Sequence, residues 1–288
     1  MLDIGNVFSN TFSMMKERWL PLLGLWAVFL GILIVYGLIA AGVVGGSILA
    51  MAGGLSDPSA AALGGAGIGF ILIAIIFYIG YFAIIFGQQG SMIALASPLR
   101  RISFGDALGA GLKGGLTFLG VLVLFIIAYI AFAIVAAIFG FILSFLGEAA
   151  AVIVVILILP AIIYLVCRFA VLVPVIVVER IFNPITAITR CWEVTRGNVL
   201  GILVVLIITM VIAAIMLGVP FMLFFGAMFA TTDPSSIGAG SAVGGAILGV
   251  LVFFLIYLVY MIFSTCLSAS LHAEISDAEA EDLGKTFE

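Results

Sequence analysis

Few side chains in this sequence can do chemistry. Arg168 stands inside a long apolar run, where a charge is expensive and marks a candidate functional site. Gln88 and Gln89 sit in another apolar run. A guanidinium offers a planar fork of donors matched to phosphate or carboxylate, and a carboxamide adds neutral hydrogen bonds beside it. Arg168, Gln88 and Gln89 are therefore the candidate site for a lipid phosphate or another small anion. The competing reading is structural. Arg168 would cap helix C-terminal carbonyls or tie neighbouring helices together through Gln88 or Glu179, since polar groups in membrane bundles also serve as packing ties.

The remaining inventory argues against catalysis. His272 is the single histidine, and the sequence holds no His-Glu-x-x-His, no P-loop, no nucleophile elbow and no paired carboxylates within an apolar run. Metal-dependent hydrolysis needs clustered acids or histidines. Cys167, Cys191 and Cys266 are too far apart for a disulfide framework or a metal spacing. We expect no enzyme, no metal, no cofactor and no nucleic-acid partner.

These residues must be positioned by apolar elements. Six long apolar stretches run at about 20–51, 67–97, 115–146, 149–178, 198–230 and 242–272. Each exceeds the ~20 residues that cross a bilayer as a helix. The hydrophobic share is 66% and the charged share 8%, against roughly a quarter charged in soluble domains. An all-α integral membrane fold follows. Met1 to Arg18 does not read as a cleavable signal, because the apolar run behind it is too long. Lys16, Arg18, Arg100, Arg101, Lys113, Arg180, Arg190, Arg196 and Lys285 all fall on one side of the six crossings, while the other loops hold only Asp57, Glu148 and Asp233. The positive-inside rule puts both termini and the two basic loops in the cytoplasm. Gly147-Glu148 is the expected outer turn between the third and fourth crossings, and Pro160, Pro174 and Pro220 are candidate kinks. Discontinuous helices are not obvious from the sequence.

Each basic stretch carries apolar residues at helical spacing: Ile4, Val7, Phe8, Phe12 and Met15; Ala107, Leu108 and Leu112; Ile185, Ile188 and Trp192. Asn183-Pro184 reads as an N-cap followed by proline at the first helical position. Ser103-Phe104-Gly105-Asp106 resembles a capping box, and Gly114 and Gly197 are candidate stops. The architecture expected is three parallel repeats, each an amphipathic interfacial helix plus a transmembrane hairpin, at about 1–97, 98–178 and 179–273. At an offset of 80, Arg100 matches Arg180 and Gln88 falls opposite Arg168. An acidic cytoplasmic tail, 274–288, follows the transmembrane domain 1–273. GxxxG spacings at Gly42/Gly46, Gly65/Gly69, Gly111/Gly115, Gly240/Gly244 and Gly245/Gly249 read as close packing within one chain rather than a dedicated dimer face.

The stretch from Val178-Glu179-Arg180 through Asn183-Pro184 to Gly197-Asn198 is the most distinctive. Pro184, Ala187, Arg190, Trp192, Thr195 and Gly197 trace the pattern P-x-x-A-x-x-R-S-W-x-L-T-x-G behind Glu179, with Cys191 for the usual serine and Val194 for the usual leucine. This resembles the signature of bacterial multi-pass proteins of the glycerophosphoryl diester phosphodiesterase membrane-domain family. The resemblance implies a bacterial inner membrane and an association with membrane lipid. Some members carry a fused catalytic phosphodiesterase domain. None is expected in this chain, so that activity is not carried over. Physically, Glu179, Arg190, Trp192 and Arg196 form an interfacial motif: an elbow with an aromatic anchor and cations at lipid-phosphate level. The function expected is a non-enzymatic inner-membrane protein that binds or organises membrane phospholipid, or a membrane partner, through its cytoplasmic interfacial helices. A lipid or small-anion transporter with its polar site at Arg168 is the alternative. A second membrane protein or a second copy of the chain are the other partners considered.

Overall fold

The computed structural model of the chain describes residues 2–54, 60–144, 149–222 and 239–287. Asp57, Glu148 and Asp233, and the expected outer turn at Gly147-Glu148, lie outside them. The described residues are helical throughout apart from short connections. In chain order the helices are α1 (Ile4–Gly54), α2 (Ala60–Ala96), α3 (Phe104–Ser144), α4 (Ala149–Phe169), α5 (Leu172–Val177), α6 (Pro184–Val194), α7 (Val199–Ala213) and α8 (Ala239–Phe287). Six segments are long and apolar enough to cross a membrane: Ile4–Gly46, Ile71–Ala96, Phe104–Phe141, Ile158–Val177, Val199–Met222 and Leu248–Ser276. An all-α, six-span membrane protein is thus the observed fold class.

The repeats are less uniform than expected. The amphipathic stretches of the first two units are not separate helices. Residues 4–15 are the opening turns of α1, which runs unbroken for 51 residues, and 104–112 are the opening turns of the 41-residue α3. At 1.5 Å per residue α1 would extend about 77 Å, more than twice the ~30 Å hydrocarbon core. Only in the third unit does a short helix, α6, stand apart. The reason is local. Gly197 adopts φ +87°, a left-handed conformation open to glycine, and stops α6 from running into α7. Gly114, the other candidate stop, lies inside α3. Its missing side chain makes room for a neighbour instead, since a Cβ there would sit 2.7 Å from Val177 Cγ1. Of the GxxxG pairs, Gly111/Gly115 lies in a helix contact, whereas a Cβ added at Gly42 or Gly46 would meet nothing within 4 Å among the described residues. The pairs at Gly65/Gly69, Gly240/Gly244 and Gly245/Gly249 involve side-chain positions outside the described residues.

The fourth span is discontinuous, a full break close to the candidate kink at Pro174. α4 ends at Phe169, residues 170–171 form a turn, and α5 begins at Leu172. Pro174 explains the break. In a continuous helix its ring would collide with the carbonyl of Ala170, whereas in the first turn of α5 its missing N–H has no partner to lose. Pro220 follows a π-helical turn, Ala214–Gly218, which loosens the backbone ahead of it. Pro160 sits inside α4 without ending it.

Side-chain burial is concentrated where the basic residues are. Met92–Ser97, Val171, Leu172, Pro174–Val178, Leu271–Ala273 and Ile275 are buried, together with Ala187, Cys191 and Val194 of α6. Toward the other end Ile34, Leu38, Ile71, Tyr129, Phe139 and Met210 are exposed. Lipid is as apolar as these side chains, so nothing drives them inward. The acidic residues from 274 onward continue α8 without a break to Phe287.

Candidate functional site

The helix ends that carry the basic residues are tied into one face. Arg18 donates to Leu95 O and Ser97 O at the end of α2. Ser270 donates to Val7 O across 2.8 Å, Thr117 to Phe182 O across 3.0 Å, and Leu2 N to Asn198 Oδ1 across 3.2 Å. The bonds to Leu95, Ser97, Phe182 and Leu2 satisfy backbone groups that a helix end or loop leaves open, while Val7 O takes the Ser270 bond in addition to its place in α1.

The elbow sits on this face. Asn183 starts α6 by accepting from Ile185 N and Thr186 N at 3.0 and 3.3 Å, with Pro184 behind it. At the start of α3, Ser103 Oγ accepts from Asp106 N and donates to its carboxylate at 2.8 Å. The capping box is therefore present in a variant form. Ala187, Cys191 and Val194 make the buried stripe of α6 at spacings of four and three. Pro184 docks on α3 where Gly120 leaves space.

Arg168 is at the last turn of α4, 7% exposed, not partway along a helix that continues to Arg180. Its Nε and Nη2 donate to Tyr164 Oη at 2.9 and 2.6 Å, and its Nη1 to Trp192 O at 2.9 Å and Thr195 Oγ1 at 3.3 Å. The guanidinium carbon lies 5.0 Å from the Tyr164 ring and 4.7 Å from the Trp192 ring, close enough for cation–π attraction. Trp192 O is one of the carbonyls that the end of α6 leaves unpaired. In return Cys191 Sγ donates to Arg168 O, the equivalent orphan at the end of α4, across 3.1 Å. The two helix ends thus cap each other. Burial pushes the Cys191 thiol up to about 12, so it stays protonated and able to donate.

Glu179, just past α5, joins three elements. Its Oε2 accepts from Arg190 Nε of α6 at 2.9 Å, and its Oε1 lies 3.0 Å from His272 Nε2 of α8. Burial alone would raise this carboxyl, but the His272 and Arg190 hydrogen bonds and charges outweigh it and hold it below the ordinary carboxylate range. His272 is 1% exposed, and its Nδ1 has no hydrogen-bond partner among the described residues.

The structure brings Glu179, Arg190 and Trp192 into this elbow. Arg196 is exposed beyond it, with Trp192 half-exposed at the rim. No hydrogen bond among the described residues joins Gln88 or Gln89 to Arg168. Gln88 is buried in α2, Gln89 on the same helix is exposed, and every hydrogen bond of the Arg168 side chain goes to Tyr164, Trp192 or Thr195. Sequence reasoning missed Tyr164 and His272 as partners. Tyr164 was within reach of it, four residues before Arg168 on one helix face. His272 carried no signal, being 93 residues from Glu179. No group of three or more His, Cys, Asp or Glu capable of holding a metal occurs among the described residues.

No curated protein and no solved structure matches the chain. A family model, the membrane domain of glycerophosphoryl diester phosphodiesterase, matches residues 136–281, a little over half of the 288. The matched region runs from the end of α3 through the elbow and most of α8. On that match the chain belongs to the membrane-domain family of glycerophosphoryl diester phosphodiesterase.

Proposed function

We propose that this is a non-enzymatic protein of the bacterial inner membrane that binds membrane phospholipid at its basic face, with that face and both termini cytoplasmic. The observation that carries this reading is the state of Arg168. Four hydrogen bonds tie its guanidinium to acceptors of its own chain, so it serves as a joint that holds the face in shape rather than as an open anion site. Around that joint the exposed side chains are those of an interface: Trp192 at its rim and Arg196, with Arg100 and Arg101 on the loop before α3. The nine-to-zero charge asymmetry supports the cytoplasmic assignment. Cysteine labelling from either side of sealed vesicles checks it, and labelling at position 100 from the periplasmic side alone would overturn it.

Native mass spectrometry of the gently extracted protein tests the lipid reading, with wild type beside Arg168→Gln. We expect retained phospholipid in both and a lower unfolding temperature in the variant. A folded variant that has lost the lipid would make Arg168 the binding group. One observation favours a second reading, a transporter of lipid or small anions: the break at 170–171 interrupts a span beside its intramembrane charge, an arrangement that transporters use. Anion or lipid flux in proteoliposomes, abolished by Arg168→Gln, would establish it in place of the first.

A further inference from the structure

The cleft farthest from explanation lies on the basic face, between the opening turns of α3 and the loop that leads into α6. It encloses about 180 Å³ and is lined by Gly105, Asp106, Gly109, Lys113, Arg180 and Phe182, among others. A Cβ added at Gly105 or Gly109 would meet nothing within 4 Å, so the cleft is open on the α3 side. Lys113 and Arg180 make no ion pair among the described residues. Asp106, the one acid in the cleft, is already engaged by the Ser103 hydroxyl at 2.8 Å. The cleft therefore presents two uncommitted cations against one occupied carboxylate.

Arg180 has a second peculiarity. It is the one non-glycine residue at positive φ among the described residues, at +59°. Glycine would hold that turn without strain, and strained backbone at a surface turn points to a site rather than to packing. An exposed apolar side chain, Phe182, stands in the wall, and the exposed apolar residues Phe104, Leu112 and Ile185 lie within three residues of the lining in sequence. A free phosphate has no use for such a rim. A lipid whose acyl chains lie against it does.

We propose that this cleft is a headgroup site for one anionic phospholipid, with Lys113 and Arg180 taking its phosphodiester. The proposal rests on the lipid-binding reading above and names its site. Arg180 contributes the directional fork and Lys113 a point charge, while the apolar rim takes the start of the chains. The Arg168 elbow is not part of it.

The test uses the full chain in native mass spectrometry, titrated with phosphatidylglycerol or phosphatidylethanolamine. The variants are Lys113→Gln, Arg180→Gly and the double substitution. Arg180→Gly suits the left-handed turn, so it removes the cation without straining the fold, and unchanged thermal unfolding verifies this. Wild type is expected to retain one phosphatidylglycerol that the double variant holds about thirtyfold more weakly, from two lost contacts of about fivefold each. Equal retention by a folded double variant overturns this site and leaves the lipid-binding reading standing. No retention by wild type overturns both. Preference for phosphatidylethanolamine overturns the anionic headgroup. Displacement of the lipid by millimolar inorganic phosphate would mean a soluble anion is the occupant.

Discussion

Two helix pairs in this protein meet in opposite ways. Where α2 crosses α3, the contact is made of missing side chains. A Cβ on Gly115 would lie 2.6 Å from Ala83 O, and one on Gly90 would lie 3.5 Å from Gly111 Cα. Where α4 meets α6, it is made of polar side chains, with Arg168 and Cys191 each capping the other helix's carbonyls. Positions 88 and 168 correspond across the 80-residue offset, yet the buried glutamine sits in the glycine-packed pair and the arginine in the hydrogen-bonded one. The difference teaches that bilayer helices can be held by close approach or by satisfied helix ends, and that each route makes a different residue type irreplaceable. Close approach needs continuous helices, and α2 and α3 are continuous. Mutual capping needs helix ends, and the breaks at 170–171 and 195–198 supply them.

Substitutions should separate the two routes. The largest effect is expected for Gly115→Val, whose side chain would strike the backbone of α2. We expect a loss of about 3 kcal/mol, read as the unfolding midpoint in detergent, and a near-neutral result would mean the pair can separate. Arg168→Gln should come next, at roughly 2 kcal/mol, because Trp192 O and Thr195 lose a buried donor. Stability equal to wild type would show that water replaces the guanidinium.

Glu179 makes the elbow sensitive to pH, while the close approach of α2 and α3 is made by glycines, whose missing side chains do not titrate. Its carboxyl is held below the ordinary value in the folded protein. The stability it contributes is therefore present at neutral pH and lost as pH falls below the usual carboxylate range, through the depressed folded value. Glu179→Gln should remove that part of the acid sensitivity, and an unchanged midpoint-against-pH curve would contradict the pairing. The smallest effect belongs to Cys191. Cys191→Ser keeps a donor to Arg168 O and should shift stability by about 0.5 kcal/mol or less. In the wild-type protein this buried thiol, pushed up to about 12, should resist maleimide at neutral pH until the protein is unfolded.

Much of the elbow was legible one residue at a time. Asn183 and Pro184 announce α6, Gly197 ends it, and Ser103 with Asp106 opens α3, because caps act within three or four residues. Pro174 marked a kink and turned out to mark a break. Gly114 misled, because glycine serves both as a stop and as a place for close approach, and nothing within α3 distinguishes them. Gln88 was grouped with Arg168 by depth and offset, but depth does not say which way a helix faces.

By itself the sequence determined the six crossings, their apolar lengths, the side that carries the charge and the family motif. Those follow from transfer of side chains into lipid and from hydrogen bonds closed within a helix, and both are local or additive. Only the tertiary structure decided that Arg168 is spent on Trp192, Thr195 and Tyr164, that Glu179 meets His272 from 93 residues away, and that Lys113 and Arg180 share a cleft. Partner choice among buried polar groups depends on the rotation and crossing of whole helices. In lipid that is set by packing of small residues and satisfaction of helix ends, for which hydrophobic pattern carries no signal.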